Sequence, residues 1–174
     1  MIYNRHNPEK HYVSAEFHAD RVLQSAELNE MQTMQAEQLR GVADVLFADG
    51  DITEGARCAV DAATGVCSME AGRIYISGMV HSIAAATLQV ATQGTVYVGA
   101  YVLRQSVSAI DDPDLYNPAI NTKGYQQIGA DRTRVAVTWG VMDDGTQGDF
   151  FPVWTIEDGV IKPREALSTN NPIT

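Results

Sequence analysis

The side chains able to do chemistry are few, and their spacing matches little known chemistry. His6, His11 and His18 lie at intervals of five and seven, and His81 stands alone in a later segment. Metal sites recruit ligands at short recurring spacings that these intervals do not reproduce, so solvated or interface histidines are expected. Cys58 and Cys67 are nine positions apart with no further ligand beside either. A disulfide framework needs more cysteines and an oxidising compartment, so both read as small apolar side chains on neighbouring strands. The stretch Asp49–Gly55 (DGDITEG) opens like a calcium loop. Glu54 then stands where the loop needs glycine, and Val60 where it needs a bidentate Glu. Asp111/Asp112 and Asp143/Asp144 are adjacent acids of the kind glycosidases use in pairs. They sit in turn-rich loops, where aspartates satisfy backbone N–H groups instead. The nucleophile elbow Gly-x-Ser-x-Gly is absent, as are the Walker, dinucleotide-binding and HExxH patterns. Nothing brings together a nucleophile, a base and an orienting group. The expectation is a protein that is not an enzyme, with no catalytic residue, no cofactor and no metal.

The elements that would position any site follow from periodicity. Residues 1–19 show no period: Tyr3, Tyr12, Val13 and Phe17 are spread among Asn, His, Pro and Glu. They read as an extended arm that packs by isolated anchors, and Tyr3, Tyr12 and Phe17 are its expected contacts with a partner. From about Asp20 to Phe47 the period becomes helical. Leu28, Met31, Leu39, Val42 and Leu46 share one face with Gln24 and Gln35, and Glu30, Thr33, Glu37 and Asp44 share the other. A helix docking on its own sheet normally offers an unbroken apolar stripe, whereas polar residues in a seam fix register and oligomer state in self-associating helices. The glutamine-broken stripe therefore points to self-association through Gln24, Leu28, Met31, Gln35, Leu39, Val42 and Leu46. The alternative is a helix on its own sheet with the glutamines at the margin.

After the helix the period shortens to that of strands. Residues 57–61 and 66–70 form a hairpin about residues 62–65, and strands follow over 71–78, 79–83, 87–91, 95–108, 134–141 and 150–157. The strand over 95–108 is apolar on both faces as far as Leu103, as in a strand buried on both sides. Between Ile110 and Asp131 runs a long loop stiffened by Asp112-Pro113 and Asn117-Pro118. Loops of that length in small domains are usually functional or interfacial. Leu115 and Tyr116 are its expected partner-binding anchors, unless both simply pin the loop to its own sheet. The fold class is α+β: an extended arm (1–19), one long helix serving as an oligomerisation element (20–48), and a β-rich domain of about seven mostly antiparallel strands (49–162). Residues 163–174 read as a linker or the start of a distal region.

The chain has 174 residues, with 12 Lys and Arg against 22 Asp and Glu, for a net charge of −10. Nucleic-acid and anionic-membrane binding both need clustered cations, and none exist, so neither partner is expected. No apolar run approaches the ~20 residues of a membrane span, and the first residues lack a signal peptide's apolar stretch. Synthesis in cytoplasm is expected.

Three segments carry a resemblance to a known family. Val22–Gln32 (VLQSAELNEMQ), preceded by Tyr12 and Phe17, resembles the lead into the first helix of the N-terminal, baseplate-attachment domain of bacteriophage tail-fibre and baseplate-associated proteins. Ala71–Gly78 (AGRIYISG) is similar to that family's glycine-bracketed strand, and Asp112–Ala119 (DPDLYNPA) with Gly129–Arg132 (GADR) to its proline loop and following strand. The ordered set spans residues 12–132. The resemblance implies a structural virion protein, assembled in host cytoplasm and carried in the phage tail. It implies a homotrimer that joins a receptor-binding fibre to the baseplate or other tail proteins. The competing reading is a self-contained carbohydrate- or protein-binding β module, with an aromatic platform from Tyr116 and Tyr125.

Overall fold

Alternating apolar residues organise the chain from Cys58 onward, and the alternation is read out as strands in a computed structural model that describes residues 2–162. The expected linker at 163–174 lies outside the described residues. The fold is α+β, with one α-helix, α1 (Ser25–Ala43), and ten strands in three antiparallel sheets among the described residues. The first strands are β1 (Asp51–Gly55), β2 (Cys58–Val60), β3 (Val66–Met69), β4 (Gly72–Ile76) and β5 (Met79–Ile83). They are followed by β6 (Ala86–Gln89), β7 (Thr95–Val107), β8 (Arg132–Val141), β9 (Asp149–Glu157) and β10 (Val160–Lys162). The sheets run β1-β4-β5, β2-β3-β6 and β10-β9-β7-β8.

Ten strands replace the expected seven or so, for identifiable reasons. β1 occupies the acidic stretch that resembled a calcium loop: Asp51 pairs with Tyr75 and Ile52 with Ile74, so β4 supplies the ladder that the local sequence does not advertise. β10 follows a tight turn at Asp158-Gly159 and pairs back on β9.

The core lies between the sheets. Ile74, Ile76 and Ile83 come from the first, Cys67 and Met69 from the second, and Val98, Ala100, Val102, Trp139, Val153 and Ile156 from the third. β7 is buried through its middle, as its two apolar faces predict. Both tryptophans donate their indole N–H across the core: Trp139 to the Glu70 carbonyl at 3.2 Å and Trp154 to the Ala56 carbonyl at 3.3 Å. Trp139 is buried and Trp154 half-buried, and each keeps its polar atom satisfied, as tryptophans taken from water generally do.

The helix is shorter at both ends than the expected span from about Asp20 to Phe47. Gln24 is extended, at φ −105° and ψ 143°, and its N–H donates to the Glu27 carboxylate at 2.8 Å. This reciprocal use of a residue three positions on is a helix-start device. At the far end Asp44 leaves the helix and accepts a 2.6 Å hydrogen bond from the Tyr75 hydroxyl, and Phe47 stacks at 5.4 Å on the Tyr75 ring. The Ser77-Gly78 turn between β4 and β5 has φ 51° and 86°, the mirror-image turn that suits a two-residue hairpin. Gly78 also lies under the helix: a Cβ there would stand 2.9 Å from Arg40 Cβ. The C-terminal end of α1 therefore seats on the β4–β5 hairpin.

Candidate functional site

α1 has two faces, and the arm decides which is free. Residues 3–13 run alongside the helix in its own direction. The Asn29 side chain donates to the Tyr3 carbonyl at 2.7 Å, and Asn4 donates to the Thr33 hydroxyl at 2.9 Å. Arg5 Nε meets Glu30 at 2.6 Å and Arg5 Nη1 meets the Gln24 side-chain oxygen at 3.1 Å. His6 Nε2 lies 2.8 Å from a Glu37 carboxylate oxygen, and Gln38 donates to the Val13 carbonyl at 2.9 Å. Hydrogen bonding from Arg5 holds the Glu30 carboxyl below the usual carboxylate range. A 3-10 turn at Pro8–Lys10, closed by His11 in the left-handed region, shapes the strap. Ala26 and Met34 are buried on this side of the helix.

At ~100° per residue, Ala26, Glu30, Thr33, Met34 and Glu37 share that covered face. Leu28, Gln35, Leu39 and Val42 fall opposite, and they are open; Leu46 lies in the turn just beyond the helix and is open too. Leu39, Val42 and Leu46 are 63%, 66% and 68% exposed, and Leu28 is 41% exposed. Gln24 projects at the head of the same stripe, tied to Arg5, while Met31 is half-covered at its edge. Leu28, Gln35 and Val42 are spaced by seven, and Leu39 and Leu46 by seven again. This is the heptad arrangement of a helix packing on copies of itself. Of the seven expected seam residues, Leu28, Gln35, Leu39 and Val42 thus share one open face of α1, Met31 lies at its edge, and Gln24 and Leu46 lie just outside the helix, while the polar face opposite carries the chain's own arm.

The seam extends further than its seven residues. Val22, Leu23 and Phe17 are exposed beside Leu28 and with it line a notch of about 350 Å³, and Val45 is exposed at the other end. The signal for Val22, Leu23 and Val45 was present in the sequence, since they continue the apolar pattern, but their place outside the regular helix was not. Tyr3 and Tyr12 are exposed on the arm like Phe17, although the arm itself lies on its own helix rather than standing free.

The long loop sits at the end of a ribbon. β9 pairs with β7 only as far as Val102, whereas β7 and β8 pair on through Val107 and Arg132. Leu103–Val107 and Arg132–Ala136 therefore continue as a two-stranded extension. The loop closes on itself: Tyr116 bridges to Ile128, and the Asn117 N–H and carbonyl bond Gln127 and Gln126. Asp112 caps a 3-10 turn at Pro113–Leu115 through the Asp114 N–H. Asp111 accepts from both the N–H and the hydroxyl of Ser108, which holds its carboxyl below the usual range. The acids Asp111 and Asp112 thus act as turn formers. Leu115 and Tyr116 are half-buried, with Leu115 lining a cavity of about 500 Å³ beside Gln105, Val107, Arg132 and Arg134. The exposed apolar side chains of the loop are Ile110, Ile120, Tyr125 and Ile128. Asp144 likewise organises the β8–β9 turn, accepting from Val141 and Thr146 N–H groups. Among the described residues no three His, Cys, Asp or Glu side chains converge as a metal site would require.

Two solved structures show a distant likeness. One, titled "Crystal structure of TssK", has a TM-score of 0.39 at 9% identity, covering 86% of this chain and 40% of that one. The other, "The baseplate complex from the type VI secretion system", has a TM-score of 0.40 at 8% identity, covering 83% of this chain and 38% of that one. The chain thus spans less than half the length of either. No curated protein matches it. A family model described as a domain of unknown function, DUF4815, matches residues 1–174, and the chain belongs to that family.

Proposed function

We propose that this chain is a structural virion protein: a homotrimeric tail-fibre or baseplate attachment module that links a receptor-binding fibre to the phage tail. Its partners are two further copies of itself and other tail proteins, and its role is mechanical, without catalysis, nucleic acid or membrane. The observation that supports the reading best is the open seam on α1. Three aliphatic side chains of α1, Leu28, Leu39 and Val42, face solvent with Leu46 just beyond the helix, while the arm occupies the polar face instead. Burying them fully is worth on the order of 5 kcal/mol per chain, a large share of a typical domain's stability. Gln35 within the stripe would set the register, as single polar seam residues do in helical bundles. The resemblance to tail-fibre attachment domains supplies the particle, and the net charge of −10 fits a protein–protein role better than a nucleic-acid one.

The test is the double variant Leu39→Glu, Val42→Glu, examined beside the wild type by native mass spectrometry and circular dichroism. Wild type is expected at three times 18.9 kDa, and the variant at 18.9 kDa with its β signal intact. A wild-type protein with the mass of its variant would remove the basis for the reading.

A further inference from the structure

Cys58 lies on β2 and Cys67 on its neighbour β3. The ladder pairs Cys58 with Met69 and Val60 with Cys67, so these four residues share one face and the cysteines sit on its diagonal. The two sulfurs are 3.4 Å apart, and the Cys67 sulfur is also 3.5 Å from that of Met69. Cys67 is fully buried, Cys58 is half-buried, and both are free thiols. Cys58 is therefore the less covered of the two residues, and Cys67 is sheltered in the core beside it.

We propose that Cys58 and Cys67 form an oxidisable dithiol that closes to an intrachain disulfide when hydrogen peroxide reaches Cys58. The Cys58 thiol, pushed up by its hydrogen bond to Cys67 and by burial, gives up its proton only as its sulfur attacks one peroxide oxygen. The O–O bond breaks, leaving a sulfenic acid on Cys58, and the departing hydroxide takes the proton to become water. The Cys67 sulfur then attacks the Cys58 sulfur. The S–S bond forms, the S–O bond breaks, and the hydroxide leaves with the Cys67 proton as a second water. Two thiols are oxidised and one peroxide is reduced to two waters, the usual sequence for a sulfenic acid beside a second thiol.

The movement required is small. A disulfide needs about 2.05 Å between sulfurs, so the pair closes by roughly 1.4 Å. Diagonal positions are more widely spaced than directly opposed ones, so backbone movement is part of the closure. β2 can supply it: it has three residues and ends its sheet, whereas β3 is held between β2 and β6. The product would tie this edge strand covalently to β3 across the Asp61–Gly65 turn.

The full-length, reduced chain is treated with hydrogen peroxide and followed by intact mass and by peptide mapping without reductant. The expected result is a mass lower by two hydrogens, a cross-linked peptide pair containing Cys58 and Cys67, and full reversal by dithiothreitol. In Cys58→Ser the two-hydrogen loss should vanish and Cys67 should remain a thiol. Oxygen added at Cys58 with Cys67 still reduced, dimers linked through Cys58, or an unchanged mass under conditions that oxidise glutathione would each overturn the proposal.

Discussion

Tyr75 joins the helix to the β domain through a single atom. Its ring is buried, and its hydroxyl donates to Asp44 at 2.6 Å. Burial and the adjacent carboxylate push the tyrosine up to about 12, while the same bond holds Asp44 below its ordinary range. The unfolded chain releases the tyrosine proton near the ordinary value of about 10, and the folded chain keeps it to about 12. Between those values the folded state binds more protons, so stability is full below about pH 10 and falls as pH rises toward 12. Chemical denaturation at a series of alkaline pH values should show this fall, and Tyr75→Phe should flatten it while lowering stability at pH 7. Gly78 supports the same joint from below. An alanine there would adopt φ 86° and press on Arg40, a strain on the order of 1–3 kcal/mol. Gly78→Ala should lower the melting temperature, and Arg40→Ala in the same chain should relieve the loss only in part, because Arg40 Cγ and Cδ go while the Cβ that the new methyl meets first stays.

At the scale of elements, the strands were the legible part of the sequence. β4, β5 and β7 start where the alternation starts, and their hairpin turns carry the expected glycines. β1 was hidden because Ile52 is the only sizeable apolar residue in Asp51–Gly55, so its identity comes from pairing with β4. The helix ends were hidden for the opposite reason. Val22, Leu23, Val45, Leu46 and Phe47 prolong the apolar pattern, yet the extended Gln24 and the Asp44–Tyr75 bond stop the helix inside it. The stripe of the candidate site was legible from its 3.6-residue period, but the course of the arm was not. The Arg5–Glu30 bond joins residues 25 apart, and no local signal announces it. The ribbon loop separates two kinds of apolar residue in the same way. Leu115→Ala should cost roughly 1–2 kcal/mol of thermal stability, less than a fully buried leucine, because its side chain is half-covered. Ile120→Ala, at a side chain 69% exposed, should leave stability within about 0.5 kcal/mol. If the loop binds a tail partner, the Ile120 variant should weaken that association. Calorimetry and pull-down on the two variants check both halves.

For the whole molecule, the arrangement is a β domain with a helix and strap mounted on one hairpin. The strap is held by polar and charged contacts to the helix's polar face, and the apolar seam looks outward. A monomer so built leaves unburied the surface that most helices use to stay folded. Assembly through the seam is what the account requires. Salt should disturb the strap more than the seam, because exposed ion pairs such as Arg5–Glu30 are screened while apolar burial is not. The most direct test is sedimentation equilibrium of the wild-type chain at micromolar concentration and moderate salt. The account predicts one species at three times 18.9 kDa, and a single species at 18.9 kDa would contradict it.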